Sequence, residues 1–382
     1  MSWKKAKLSE CCQSISDGDH QAPPKSNKGI PFVTISNIKD NSFDFTNCMH
    51  VPQSYYDNLL AKRKPQKGDI LYSVVGSFGI PVLMKENVKF TFQRHIAILR
   101  PNPHIVEPAY MYYSMLSKAF FLQADAAAIG AAQRTISLSS LQNLTINLPD
   151  LPTQRRIASI LSAYDDLIEN NRRQIKLLEE AAQRLYREWF VELRFPGHEG
   201  VKVVDGVPEG WMKVCLKDIC ETKTGKKDAN FGCDDGAYPF FTCAQAPIKA
   251  PSYSFDCSAV ILAGNGDFNV KLYRGKFEAY QRTYVLSPAN TEYLFLLYNA
   301  VSRNMNVLTK GASGSTIKFL TKGMIDSIEL LIPSSQLLTT YNQNSEALQK
   351  SIEALHRKVA LAVEARDRLL PKLMNHEMEV ML

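Results

Sequence analysis

The feature that most limits what this chain can fold into is a pair of apolar seams at strict alternating spacing. In the middle of the chain, Ile157, Leu161, Tyr164, Ile168, Asn171, Ile175, Leu178, Ala182, Leu185 and Trp189 follow one another in steps of four and three. That is the a/d pattern of a coiled coil, with one polar position at Asn171. Near the end, Leu338, Tyr341, Ser345, Leu348, Ile352, Leu355, Val359, Ala362, Leu369 and Leu373 keep the same spacing, with Arg366 in one slot. A seam this narrow needs a partner helix, because a helix packed on its own globular core carries a broader stripe. The two segments therefore predict two long helices that pair. Thr153, after a proline, is the predicted cap of the first, with Gln154, Arg155 and Arg156 in its opening turn and Pro196-Gly197 beyond its end. About 37 helical residues at ~1.5 Å each make a rod of roughly 55 Å. The regular part of the second is predicted to stop near Leu370, because Pro371 lacks an N–H and crowds the preceding turn.

The sequence outside the seams repeats as well. "DILYSVVGSFG" (69–79) matches "AVILAGNGDFN" (259–269), "FQRHIAILRP" (92–101) matches "YQRTYVLSP" (280–288), and "IGAAQRTISL" (129–138) matches "KGASGSTIKF" (310–319). Each half then runs through an apolar segment and a proline into its long helix. Short β-rich runs bounded by turn residues and the helical segments 107–128 and 291–308 make each half α/β. A period of some 180 residues is too long for a solenoid unit. The expectation is two duplicated α/β modules, residues 1–150 and 197–333, joined by a long antiparallel two-helix coiled coil, residues 151–196 and 334–382, in pseudo-two-fold relation.

Composition narrows the function classes. With 45% apolar and 22% charged residues the chain reads as soluble and globular. No run approaches the ~18 apolar residues of a membrane span, and "MSWKKAKLSECC" has no apolar core of a signal peptide. None of the eight cysteines forms a C-x-x-C pair or meets a histidine at zinc-finger spacing, which points to reduced thiols in the cytoplasm. The net charge of +7 is uneven. Residues 1–150 hold sixteen Lys and Arg against eleven Asp and Glu, a modest excess that suits a phosphate-binding face.

No catalytic constellation stands out. "TGKKD" lacks the upstream glycine and the hydroxyl of a P-loop, and "GNGDFN" is too short for a dinucleotide loop. "NPHI" (102–105) lacks the second proline and the aromatic residue of an adenine-methylation site, and the seven histidines are scattered.

The segment "LPDLPTQRRIASILSAYDDLIENNRRQIKLLEEAAQRLYREWF" resembles the central spacer helix of the specificity subunits of type I restriction–modification systems. "RDRLLPKLMNHEMEV" is similar to their C-terminal ending, and "SDGDHQAPPKSNKGIPFVTISNI" and "VPEGWMKVCLKDI" to the openings of their target-recognition domains. The resemblance implies a non-catalytic chain whose two domains each bind one half of a split duplex DNA site. It implies two methylation subunits and motor–nuclease subunits as partners, with S-adenosylmethionine, ATP and Mg on those partners and no cofactor on this chain.

Within that frame, two modules that read different sequences should share scaffold and phosphate contacts and differ in base contacts. Arg94 and Arg282, which follow a shared glutamine, and Gln133, Arg134 and Lys318, beside the shared glycine-containing loop, are the scaffold or phosphate candidates. The divergent loops supply the base-reading candidates: His20, Gln21, Lys25, Asn27, Lys28, Lys62, Arg63 and Lys64 in the first module, and Lys223, Lys226, Lys227, Asn230 and Gln245 in the second. Arg187, Trp189 and Phe190 are candidate anchors for a methylation partner, although Trp189 also fits the seam. The competing reading is a coiled-coil scaffold that presents two protein- or glycan-binding modules; a single-chain enzyme comes third.

Overall fold

The central seam forms one uninterrupted helix, Leu151–Phe190, and the C-terminal seam another, Ser335–Met374, in a computed structural model that describes residues 3–130, 133–311 and 318–378. Forty residues at ~1.5 Å each give either helix a length of roughly 60 Å. The central helix opens earlier than Thr153. Asp150 Oδ1 accepts from the Thr153 N–H at 3.1 Å, so Asp150 is the cap. Gln154 is buried in that first turn, where its amide bonds Glu107 N, Pro149 O and Ile105 O.

The C-terminal helix does not stop at Leu370 but runs through Pro371 to Met374. A proline this late deprives the helix of one bond, the Asn375 N–H donates to Pro371 O at 3.0 Å, and the buried Leu373 and Met374 hold the turn in place.

The chain divides into two units, residues 1–170 with 358–382, and residues 171–357, so each long helix is shared between both units. In the first unit, Ile157, Ala158 and Leu161 share a core with Leu373 and Met374, and Arg366 Nη1 donates to Asp165 Oδ1 at 2.7 Å. Early residues of the central helix thus meet late residues of its partner, which makes the pair antiparallel. In the second unit the same holds: the Trp189 and Phe190 rings lie 5.8 and 4.8 Å from the Tyr341 ring. The seam positions Ile168, Asn171, Ile175, Ile352, Leu355 and Ala362 are buried.

In the first unit the strands are β1 (Lys4–Lys7), β2 (Cys12–Asp17), β3 (Ile30–Val33), β4 (Met49–Val51), β5 (Ile70–Ser73), β6 (Pro81–Leu83), β7 (Thr91–Phe92), β8 (Ile96–Pro101) and β9 (Thr145–Leu148). Besides a short helix at Gln53–Asp57, the helices are α1 (Leu8–Cys11), α2 (Pro108–Leu116), α3 (Lys118–Ala127) and α4 (Leu138–Asn143). One sheet runs β2-β8-β5-β6, a second runs β4-β3-β7, and β1 pairs with β9. The predicted helix over 107–128 is broken at Ser117, whose extended backbone and Oγ cap a new helix at Phe120 N.

The second unit repeats this pairing. Its strands are β10 (Met212–Cys215), β11 (Cys220–Thr224), β12 (Tyr238–Phe241), β13 (Ile248–Ala250), β14 (Phe255–Ala263), β15 (Val270–Ala279), β16 (Thr283–Pro288) and β17 (Glu329–Ile332), with α5 (Leu216–Ile219), α6 (Leu294–Lys310) and α7 (Lys322–Asp326). Its main sheet runs β11-β16-β14-β15-β12-β13, and β10 pairs with β17. The ten-residue β15 does the work of both β6 and β7: it pairs antiparallel with β14 and parallel with β12, which merges what are two sheets in the first unit. In the first unit the polar run Lys85-Glu86-Asn87 interrupts that path, and Asn87 Oδ1 accepts from Lys67 N.

The apolar runs of the central strands have a simple cause. In β5 and β8, Ile70, Tyr72, Ala97 and Leu99 face the cluster around α2 and the central helix, while Leu71, Ile96 and Ile98 face Val33, Phe90 and Phe92. In the second unit Val260, Leu262 and Leu286 face α6, and Ile261 and Val285 face Phe241 and Phe277. Strands covered on both faces read as continuous apolar text.

Candidate nucleic-acid interface

In the first unit, β2 ends against the turn that follows β7. A side chain on Gly18 would lie 2.1 Å from Phe92 O, so only glycine fits there. The chain then emerges as His20 and Gln21, both exposed, which line a cavity of about 300 Å³ with Phe32, Thr34, Gln93 and Arg94. His20 Nε2 lies 2.7 Å from Asp17 Oδ2. Lys25, Asn27 and Lys28 are exposed on the loop beyond.

Lys62, Arg63 and Lys64 lie on and after a single tight turn, Ala61–Arg63. The turn is pinned from below by Arg100, which donates to Lys64 O at 3.0 Å and grips the buried Asp69 with two bonds of 2.8 and 2.9 Å. Ser16 Oγ donates to Lys62 O and ties the turn to β2. Arg100 and Asp69 are absent from the sequence-based list. The available signal is an arginine inside the apolar run "HIAILRP", because a charge in a buried strand requires a partner. Lys64 is partly engaged by Asp57 O and the Tyr56 ring, whereas Lys62 is exposed. Arg134 is committed to Asp125, with Nη2 2.6 Å from its carboxylate, while Gln133 is exposed near Gly76.

In the second unit, Gly225 repeats the close approach of Gly18: its missing Cβ would lie 1.9 Å from Ala279 O. Lys223 pairs with Glu221 at 2.8 Å, Lys227 sits 4.3 Å over the Phe231 ring, and Lys226 and Asn230 are exposed. Gln245 Nε2 donates to Asp267 Oδ2, Cys243 Sγ to Asn265 Oδ1, and Lys271 Nζ to Ala244 O. These bonds stitch the loop 242–245 to the loop after β14 and to the start of β15. Burial holds the Lys271 pKa below the usual lysine range. Arg282 and Lys318 are exposed.

The hydrogen-bond register corrects one textual match. Arg94 N bonds Asp19 O and Val74 N bonds His95 O in the first unit; Gln281 N bonds Lys227 O and Gly264 N bonds Arg282 O in the second. Gln93 therefore corresponds to Tyr280, Arg94 to Gln281 and His95 to Arg282. The "QR" pairs are offset by one residue, so Arg94 and Arg282 do not occupy equivalent places. An offset of three residues affects the glycine-containing match, because Thr135 bridges Val75 where Phe319 bridges Asn265. Residues 131–132 and 312–317 of that match lie outside the described residues. What the units do share is Gly18 with Gly225, Gly76 with Gly266 (φ of 77° and 67°), and Pro31-Phe32-Val33-Thr34 with Pro239-Phe240-Phe241-Thr242. The recurring Pro-Phe-x-Thr is a signal that a closer comparison of the two halves would find.

Of the three candidate anchors, Trp189 and Phe190 are buried with Trp211 and Tyr341 in the core of the second unit. Arg187 is exposed and pairs with Glu192 at 3.3 Å. Among the described residues no group of three or more His, Cys, Asp or Glu could hold a metal ion, the eight cysteines are free, and no helix is long and apolar enough to cross a membrane.

The sequence pattern of the type I restriction modification DNA specificity domain matches residues 2–180 and 208–364, one match for each repeat. The chain belongs to this family. Among relatives of the specificity-domain family, the type I restriction enzyme EcoDI specificity subunit of Escherichia coli is 42% identical over 150 residues, 39% of this chain and 33% of that subunit. The chain thus matches about a third of the EcoDI subunit's length. The MjaIX specificity subunit of Methanocaldococcus jannaschii is 23% identical over 341 residues, 82% of this chain and 78% of that one. In fold, this specificity-domain chain is similar to the crystal structure of a type I restriction–modification system S subunit from M. genitalium. The TM-score is 0.62 at 18% identity, with 99% of this chain and 97% of the other covered.

Proposed function

We propose that this chain is the DNA-specificity subunit of a type I restriction–modification complex and is itself without catalytic activity. Residues 1–150 and 197–333 are its two target-recognition domains, each reading one half of a split duplex site. Residues 151–196 and 334–382 are the spacer. The observation that carries the reading is a shared frame with divergent loops. The two units share one strand order, with β15 standing for both β6 and β7, yet at corresponding loop positions Asp19 stands against Lys227, and Arg94 against Gln281. One frame that reads two different half-sites needs this division.

In each domain lysines and arginines supply affinity on phosphates, and glutamine, asparagine and histidine side chains supply choice at base edges. Lys25, Lys28, Lys62 and Arg94 in the first unit and Lys226, Arg282 and Lys318 in the second are exposed and make no ion pair among the described residues, which leaves them for phosphate. Half-sites read on one face of B-DNA lie about one helical turn, ~34–36 Å, apart. A helix pair roughly 60 Å long is of the order needed to set that gap. Methylation subunits dock along this pair, with Arg187 as the accessible member of the three candidate anchors, and bring the S-adenosylmethionine; motor–nuclease subunits bring the ATP and Mg chemistry. The complex works on chromosomal DNA in the cytoplasm.

The test is twofold. Binding of the full chain to duplex DNA should weaken steeply as salt rises. Sequencing of methylated genomic DNA from cells with and without the gene should reveal a split adenine motif that depends on it. Affinity indifferent to salt, together with an unchanged methylation pattern, refutes the proposal.

A further inference from the structure

The first unit carries a charge cluster that the described residues of the second lack. Arg63 Nη2 lies 3.6 Å from Asp17 Oδ1 and its Nη1 3.6 Å from Asp19 Oδ1. Asp17 also meets His20 at 2.7 Å. Asp19, only 8% exposed, accepts from Thr91 Oγ1 at 3.1 Å and faces the Tyr55 phenol. Among the described residues Arg63 is the one cation within ion-pair distance of Asp19. Its Nε is buried and makes no hydrogen bond. The cluster joins four segments: the end of β2, the basic turn, β7 and the short helix Gln53–Asp57.

Among its described residues the second unit has no counterpart. There β13 leads into β14 through Pro251–Ser254 alone, where the first unit inserts the helix 53–57 and the basic turn between β4 and β5. Lys227 stands at the place of Asp19. In a duplicated frame, a polar cluster found in one copy is not needed to build the frame, so its role lies in what that copy alone does.

We propose that Arg63 is a positioning residue for the first half-site: its guanidinium neutralises Asp17 and Asp19 and holds the His20–Gln21 segment and the Lys62–Lys64 turn as one reading surface, without touching DNA. Two carboxylates at the rim of a surface that receives a polyanion repel it. With Arg63 between them the three groups carry one net negative charge instead of two, and both loops are tied to one point. The guanidinium is largely enclosed by the groups it bridges, whereas Lys62 beside it is exposed. This inference rests on the DNA-reading function proposed above.

The experiment selects bound molecules from a pool of random-sequence duplexes with the full-length chain, sequences them, and measures affinity on the enriched duplex. R63A should bind roughly tenfold more weakly or worse and lose one half of the split motif while keeping the other. R63A combined with D17N and D19N should recover to within about threefold of the wild type, because the carboxylates that needed neutralising are gone. R63K should hold most of the affinity. A triple variant as weak as R63A means that the guanidinium itself contacts DNA, and R63A binding like the wild type means that it positions nothing; either overturns the proposal. If R63A melts below the assay temperature, D17N/D19N decides: affinity at or above the wild-type level supports neutralisation, and a roughly tenfold loss overturns it. A wild-type chain that enriches no split motif refutes the DNA reading itself, a different failure from these.

Discussion

Arg366 Nη1 lies 2.7 Å from Asp165 Oδ1, an ion pair between the two long helices inside the first unit. The arginine fills a seam position where the spacing calls for an apolar residue, and Tyr113 OH donates to the other oxygen of the same carboxylate at 2.6 Å. Replacing Arg366 with alanine leaves Asp165 half-buried and short of its countercharge. The expected loss is about 2 kcal/mol, below the range for fully buried pairs because both groups keep some solvent. Thermal unfolding checks it, and R366A/D165A should lose less than the two single changes added together.

Gly18→Ala and Gly225→Ala should each be costly, since the new methyl would sit 2.1 and 1.9 Å from a backbone carbonyl oxygen, far inside van der Waals contact. A loss of at least about 2 kcal/mol is expected from either. Limited proteolysis should show cutting confined to the unit that carries the change.

Arg100→Met removes the only ion-pair partner of the buried Asp69 among the described residues and frees the turn that presents Lys62. An uncompensated buried carboxylate costs about 3–5 kcal/mol. Circular dichroism melts of R100M and R100M/D69L test this. The double variant should regain much of the stability, and equal instability of both would refute the account.

Deleting one heptad from each long helix, at matched positions, should shift the spacing between methylated half-motifs or abolish assembly. A genome that keeps the original spacing after both deletions would show that the helices set no distance.

Burial, and then the neighbouring Arg94 charge, hold the His95 pKa below its ordinary 6.5. The folded form therefore prefers the neutral ring. Its contribution to stability is complete above about pH 6.5 and is lost as pH falls through the folded-state value. The melting difference between wild type and H95N should shrink as pH drops from about 7.5 to about 5.5. A difference that stays constant would remove His95 from the pH response.

The seams were legible because burial recurs with the helix period and leaves a mark at every turn, as Ile157, Ile168 and Ile175 do. The duplication was legible in the apolar strands, where both faces are covered. Register was not. A "QR" pair in each half looked equivalent, but a one-residue offset in a tight turn exchanges places, and only hydrogen bonds such as Arg94 N to Asp19 O reveal it. Pro371 misled because its penalty depends on how much helix follows it. The Asp17–Arg63–Asp19 cluster could not be read at all: Asp19 and Arg63 are far apart in sequence, and their meeting depends on how a loop without periodicity folds back.

Leu373 and Met374 complete the core of the unit whose strands all come from residues 4–148. A ribosome makes them more than two hundred residues after the strand Thr145–Leu148. The first unit thus waits, through synthesis of the second unit's residues 171–357, with part of its interior uncovered. A message cut short before Leu373 would yield a chain in which the earlier-made of the two units is the one left unfinished, and proteases that survey exposed cores would meet it there first.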